Sequence, residues 1–385
     1  MKEVPSKFSP VKFKELRTPF YYYDLEVLRA TLNILKEASD KNGFKIHYAL
    51  KANSNPRILE IISSYGFGAD CVSWNEIERA IKTGFQSPDI VFAGVGKSDR
   101  EIEEAIKSEI YCFNCESIPE IVVINSIASR LKKTVRIALR INPYIEAFTH
   151  KYITTGIEES KFGINTWELD EVIRCLEGLK RIQLIGIHFH IGSQVTRLPV
   201  FKSLCVRINE IRNLLTSRHF DLEMINVGGG LGIDYDNPDK MADFQEYFNI
   251  FNEHIELRHG QKLHFEPGRS VVGQCGTLIS KVLYVKNGSN TRFIIIDAGM
   301  TDFIRPALYQ AHHKIENLTS GQDLQRYDVV GPVCESADTF AKFIELPGTK
   351  RGDIIAIRSA GAYGEVMASR YNLRDLPASV FSDEI

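Results

Sequence analysis

The stretch His47-Tyr48-Ala49-Leu50-Lys51-Ala52-Asn53-Ser54-Asn55 closes a short apolar run and leads into a helical pattern carried by Ile58, Ile61, Ile62 and Tyr65. The residues before Lys51 read as a buried strand and those after it as an amphipathic helix, so the lysine stands where a strand hands over to a helix. Burial there disfavours the charged form of an amine, and the neutral amine is the form that condenses with a carbonyl to a Schiff base. A solvated lysine at a strand end is the plain alternative. The rest of the chain decides between them.

Outward from Lys51, apolar runs alternate with helical patterns. The candidate strands are 45–50, 68–73, 89–93, 110–115, 134–141, 182–190, 223–227 and 262–266. Leu169, Val172, Ile173 and Leu176 show the helical spacing after the fifth, and Ser73 with Glu76, Ser98 with Glu101 and Ser117 with Glu120 each match a capping box. Strand then helix, repeated eight times in about 220 residues, is the pattern of an α/β fold of the (β/α)8, TIM-like barrel type. Leu25, Leu28, Leu32 and Leu35 predict a helix before the first strand. After Gly273 the texture becomes β-rich, with runs at 277–285, 292–297, 327–330, 340–346 and 353–358, and predicts a C-terminal, mainly antiparallel β domain. The strand-like Thr18-Pro19-Phe20-Tyr21-Tyr22-Tyr23 is expected to join it. The expected division is a barrel over 24–272 and a β-rich domain from 1–23 and 273–385, and the long patternless stretch 142–165 has the length of a functional loop.

A chain of 385 residues suits two domains. Its 47 basic and 49 acidic residues leave a formal charge of -2 without long runs of either sign, so neither nucleic acid nor an anionic membrane is an expected partner. No window approaches the roughly 18 consecutive apolar residues of a spanning helix, and Lys2, Glu3, Pro5 and Lys7 do not resemble a signal peptide, so a cytoplasmic location is expected. The seven cysteines are too few and scattered for a disulfide framework. Cys112 and Cys115 form a Cys-x-x-Cys, but in a strand their side chains face opposite ways and no second pair occurs, so no metal is expected there.

The functional end of such a barrel is the C-terminal end of its strands. Lys51 follows the first strand, His190 ends the sixth, Gly228-Gly229-Gly230-Leu231-Gly232 follows the seventh and Glu266-Pro267-Gly268-Arg269 follows the eighth. A glycine run brings backbone N–H groups close to an anion, and its place after strand seven favours a phosphate over a simple turn. Gly94-Val95-Gly96-Lys97-Ser98 imitates the end of a P-loop, but Val91 stands where its first glycine is required, which rejects a nucleotide site there. Glu266 is placed to hold a protonated ring nitrogen, the alternative being a salt bridge to Arg269. His188 and His190 share a strand face without a third ligand, so His190 reads as a stacking residue rather than a metal ligand. Schiff-base lysine, phosphate cradle, ring-nitrogen carboxylate and aromatic stacker together describe a pyridoxal 5'-phosphate site.

With the residues 47–53, His190-Ile191-Gly192-Ser193-Gln194, the glycine run and Glu266 to Arg269 in this order, the chain resembles the fold type III pyridoxal phosphate decarboxylases with an alanine-racemase-like barrel, and among them the diaminopimelate decarboxylases. The resemblance runs from about Thr18 to Asn372 and implies a carboxy-lyase that converts meso-2,6-diaminopimelate to L-lysine and CO2, the last step of lysine biosynthesis. By it, Lys51 carries the cofactor, His190 lies on its ring and Glu266 keeps the ring nitrogen protonated. Ser193, Gly229, Gly230, Gly268, Arg269 and Tyr363 hold or line its phosphate side. Cys334-Glu335-Ser336 resembles the motif whose cysteine returns a proton after CO2 leaves and which reaches the partner subunit's cofactor, so a homodimer with shared active sites is implied. Arg269, Arg305 and Tyr309 would hold the substrate's distal carboxylate, Glu335 its distal ammonium, and Tyr363 would close the pocket. Arg305-Pro306-Ala307-Leu308-Tyr309 discriminates within the family, because a basic diamine calls for an acidic residue where a carboxylate calls for guanidinium. Glu365 and Val366 depart from the family's usual residues after Gly364. The alternatives are a decarboxylase of carboxynorspermidine, ornithine or arginine, a two-base racemase, and a non-catalytic paralogue, which would be expected to lack Lys51 or Cys334. His150, Lys151, Tyr152 and Lys161-Phe162-Gly163 resemble a segment that covers the family's site.

Overall fold

The computed structural model describes residues 2–145 and 161–385. Two compact units emerge, one made of Leu32–Gly232 and Asp243–Gly268, the other of Met1–Thr31, Ile233–Ala242 and Arg269–Ile385.

The first unit is a closed parallel barrel of Lys45–Ala49, Gly68–Cys71, Ile90–Phe92, Cys112–Cys115, Val135–Arg140, Ile182–His188, Met224–Asn226 and Lys262–Phe265. The first and eighth strands close it, with Lys45 opposite His264 and Ile46 opposite Phe265. Most strands stop one or two residues short of their apolar runs. Leu50 and Phe189 are fully buried past the last ladder residue, so hydrophobicity outlasts the hydrogen-bonded strand. Lys51 therefore falls in the 3-10 turn Leu50–Ala52, and His190 lies two residues beyond the sixth strand.

Helices between the strands bury one face each, as Ile58, Leu59 and Ile62 do on Pro56–Ser63. Of the three expected capping boxes, only Ser98 with Glu101 closes in both directions. Ser73 and Ser117 accept the N–H of Glu76 and Glu120, but each glutamate reaches one residue further back, to the N–H of Val72 and of Glu116. The longer reach pins the preceding strand end instead. The eighth strand is held by aromatic packing, Phe265 lying 4.6 Å from the ring of Phe248 and 5.0 Å from that of Phe44.

In the second unit the strands run in the order Ile315–Asn317, Ile354–Ile357, Gly276–Asn287, Arg292–Ile296, Leu324–Val330 and Thr339–Pro347. Phe20–Tyr23 pairs antiparallel with Gly276–Asn287 and parallel with Ala378–Phe381. The sheet is mainly antiparallel, with Arg292–Ile296 and Leu324–Val330 as a second parallel pair. Phe13, Phe20, Tyr22, Ile279, Ile354 and Ala356 form a core in it, each large side chain contributing about 1.5–3 kcal/mol by leaving water. Among the described residues no helix is long and apolar enough to cross a membrane.

Candidate active site

At the mouth of the barrel a layer of polar side chains replaces the usual aliphatic ones. Asp70, Asn114 and His188 come from the second, fourth and sixth strands and Glu266 from just past the eighth, the alternate-strand arrangement that fills one layer of such a barrel. All four are buried. Glu266 Oε2 lies 3.0 Å from Nε2 of His188, and Oε1 accepts from Nδ2 of Asn226 at 2.7 Å and of Asn114 at 3.3 Å. Burial pushes the Glu266 carboxyl up, but the His188 charge and hydrogen bond, with Lys51 and His190 behind them, outweigh it and hold the carboxyl well below its ordinary range. The salt bridge to Arg269 weighed from sequence is replaced by these barrel contacts.

Lys51 is not in purely apolar surroundings. Its Nζ sits 2.8 Å from Oδ2 of Asp70, a buried carboxylate that burial and the nearby Glu266 push upward against the pull of Lys51. Asp70 Oδ1 and His188 Nδ1 are buried without a hydrogen-bond partner. His190 accepts the Gly229 N–H on Nδ1 at 3.3 Å, which assigns its remaining proton to Nε2. Burial, then the Lys51 and Arg140 charges, drive its pKa well below the ordinary value and keep the ring neutral.

The glycines are there for space. Gly228 and Gly230 have φ of +73° and +113°, and a Cβ on Gly229 would stand 2.3 Å from the Glu266 carbonyl oxygen. A Cβ on Gly268 would press on Ala49, just before the Lys51 turn, and on Ala52, its last residue. The N–H groups of Gly228, Gly229 and Gly232 are taken by Asn226, His190 and Val195, so what the run offers a phosphate, with Ser193 in the loop after the sixth strand, is a backbone that no Cβ keeps at a distance.

The 142–165 stretch is pinned at both described ends. Asn142 and Ile164 exchange backbone hydrogen bonds with each other's neighbourhood, and Glu116 accepts from Gly163 N (2.9 Å), Gly94 N (3.1 Å) and Arg140 Nη1 (2.6 Å). Phe162 lies against the Arg140 guanidinium. His150, Lys151 and Tyr152 lie outside the described residues. Lys97 of the P-loop imitation is buried in an ion pair with Glu120 and donates to two carbonyls, a structural task. Burial pushes the Cys112 and Cys115 thiols up, and no group of three or more metal-ligating side chains occurs among the described residues.

The second unit carries the remaining candidates in two groups. Arg269 and Arg305, both buried, meet at Tyr235, whose hydroxyl accepts from Arg269 Nη1 at 2.6 Å and Arg305 Nη2 at 3.3 Å. Tyr363 lies against the Arg269 guanidinium and Tyr309 against that of Arg305. Burial lowers the pKa of Arg305, and among the described residues no carboxylate pairs with it. Cys334 and Glu335 are exposed and held by Asn372 and Tyr371, at 3.3 and 2.7 Å. Sequence reading missed Asp70, Asn114, His188 as a partner of Glu266, Asn226, Tyr235 and His313. For Asp70 a signal existed, a lone carboxylate inside an apolar strand next to the lysine strand.

The closed parallel barrel with Lys51 and the buried Glu266 just past its first and eighth strands lies within residues 26–273, which the family model "Pyridoxal-dependent decarboxylase, pyridoxal binding domain" matches, so the class is that of the pyridoxal-dependent decarboxylases. A diaminopimelate decarboxylase of Bacteroides thetaiotaomicron is 54% identical over 97% of this chain and 98% of that protein. One from Helicobacter pylori is 43% identical over 94% of this chain and 89% of its own. The crystal structure of the Helicobacter pylori enzyme complexed with L-lysine superposes with a TM-score of 0.91 at 42% identity, covering 96% of this chain and 93% of that one. The chain belongs to the diaminopimelate decarboxylase family.

Proposed function

We propose that the protein decarboxylates meso-2,6-diaminopimelate to L-lysine and CO2 with pyridoxal 5'-phosphate. The observation that carries the substrate is Arg305, a buried cation with no carboxylate partner among the described residues, sharing Tyr235 with a second buried guanidinium. Burying such a charge is costly unless an anion arrives, and a planar guanidinium suits a carboxylate. A diamine would bring a third positive charge.

The residues fit the cofactor. The glycine turn with Ser193, Gly268, Arg269 and Tyr363 would hold its phosphate side, Lys51 its aldehyde carbon, Glu266 its ring nitrogen and His190 its face. Bound there, it supplies a sink for the electron pair left when CO2 departs. Asp70 holds the Lys51 amine in place at 2.8 Å. Glu266, kept anionic by His188 and the two asparagines, retains a proton on whatever basic nitrogen faces it. Arg269, Arg305 and Tyr309 would fix the distal carboxylate and Glu335 the distal ammonium, which leaves the other carboxylate to depart. Cys334 would then deliver a proton to the α-carbon.

Cys334 and Glu335 lie on an exposed surface beside Tyr371 and the almost fully exposed Leu373, which supports a homodimer whose subunits lend this segment to each other's site. Seven free thiols suit the cytoplasm. The test measures CO2 and lysine from meso-diaminopimelate with added pyridoxal phosphate, beside carboxynorspermidine and ornithine. Turnover of diaminopimelate alone is expected; turnover of ornithine without it overturns the reading.

A further inference from the structure

The two guanidiniums beside Tyr235 are held from behind. His313 is buried, with Nδ1 2.9 Å from the carbonyl oxygen of Arg358 and Nε2 3.3 Å from Nε of Arg305. A carbonyl only accepts, so the His313 proton is on Nδ1 and Nε2 presents a lone pair to the Arg305 Nε–H. Arg358 is fixed in turn, its guanidinium paired with Asp239 at 2.6 Å and Glu316 at 2.8 Å. The imidazole is wedged edge-on against Tyr235 and Phe303, with ring centroids 4.7 and 4.6 Å away. On the other side of Arg305 the Tyr235 hydroxyl spends its two lone pairs on two cations. A chain of single contacts thus runs from Arg358 through His313, Arg305 and Tyr235 to Arg269 inside one unit.

Like charges repel, and two buried guanidiniums drift apart unless acceptors hold them. We propose that Tyr235 and His313 are positioning residues that lock Arg269 and Arg305 into a two-guanidinium receptor, and thereby set the preference for amino acids with a distal carboxylate over the corresponding diamines. The inference rests on the substrate class proposed above. Neither residue needs to touch substrate; both act through the arginines.

The test uses the holoenzyme and Tyr235→Phe, which removes one oxygen and keeps the ring. Decarboxylation removes one of the two α-carboxylates, so L-lysine keeps the distal one, whereas 1,5-diaminopentane has neither. In Tyr235→Phe both guanidiniums lose their shared acceptor, and the KM for meso-diaminopimelate and the Kd for L-lysine, read by calorimetry, should rise together by about tenfold. The Kd for 1,5-diaminopentane should move less than about twofold, and kcat should fall by a smaller factor than KM rises. His313→Phe, which keeps the wedge and removes the acceptor, should act in the same direction. Equal changes for lysine and diaminopentane, or none for lysine with an unchanged melting temperature, overturn the proposal. Failure of the unsubstituted enzyme to release CO2 from meso-diaminopimelate overturns the functional reading instead, and the two binding constants still decide the role of Tyr235.

Discussion

At the level of single residues, the environment of a carboxylate decides its task. Glu266 is buried among donors and stays charged, whereas Asp302, equally buried, is pushed by desolvation from its ordinary 3.8 up to about 6. A raised carboxyl pKa means the folded state holds the proton more tightly than the unfolded one. Stability therefore falls as pH rises from about 4 to about 6, and the cost of an ionised Asp302 is fully present above that window, about 3 kcal/mol for a two-unit shift. Asp302→Asn is neutral throughout. Its unfolding free energy relative to the unsubstituted protein should be about 3 kcal/mol more favourable at pH 8 than at pH 4, measured by urea denaturation; a difference independent of pH would refute this. The places of Lys51 and Glu266 just past strand ends were legible because the apolar runs that precede them mark those ends. Asp70 was passed over despite its place inside an apolar strand, since aspartate in Gly68-Ala69-Asp70-Cys71 reads first as a turn former. His313, within Ala311-His312-His313-Lys314, sits in no periodic pattern, and its meaning comes from Arg305 and Arg358.

Among the elements, those with many repeats of a pattern were read well and those that depend on distant partners were not. All eight barrel strands and the helix Leu25–Asn42 appear where the apolar spacing puts them. Ile315–Asn317 and Ala378–Phe381 went unread because they stand outside the repeated strand–helix pattern that marks barrel strands as short as Ile90–Phe92, and they exist through pairing with Ile354–Ile357 and Phe20–Tyr23. Glu116 shows how one side chain ties elements together, since it joins the turn after the third strand, the end of the fifth and the return at Gly163. Glu116→Gln leaves Arg140 as a buried cation without its carboxylate, which costs about 3 kcal/mol. Amide exchange at Gly94 and Gly163 should accelerate along with this loss of stability. Unchanged exchange at Gly163 would mean that Glu116 serves Arg140 alone.

Over the whole molecule the candidate residues fall into two sets, one in each unit. The barrel carries Lys51, His190 and Glu266, and the β-rich unit carries Arg269, Arg305, Tyr309, Cys334, Glu335 and Tyr363. No pattern in the sequence marks Ile233–Ala242 as part of the β-rich unit, because its contacts, such as Tyr235 with Arg305, span long stretches of chain. The proposed exchange of the Cys334 segment between subunits has a consequence no single-chain site shares. Lys51→Ala and Cys334→Ala should each abolish CO2 release when purified alone. Dissociated, mixed in equal amounts and reassociated, half of the dimers pair one variant with the other. Each mixed dimer holds one site with both defects and one with neither, so about a quarter of the unsubstituted activity per site should return. The recovery should depend on reassociation, which a mixture kept below the dissociation step controls. If mixing restores nothing while mixed dimers are demonstrably formed, Lys51 and Cys334 serve within one chain and the shared-site arrangement is wrong.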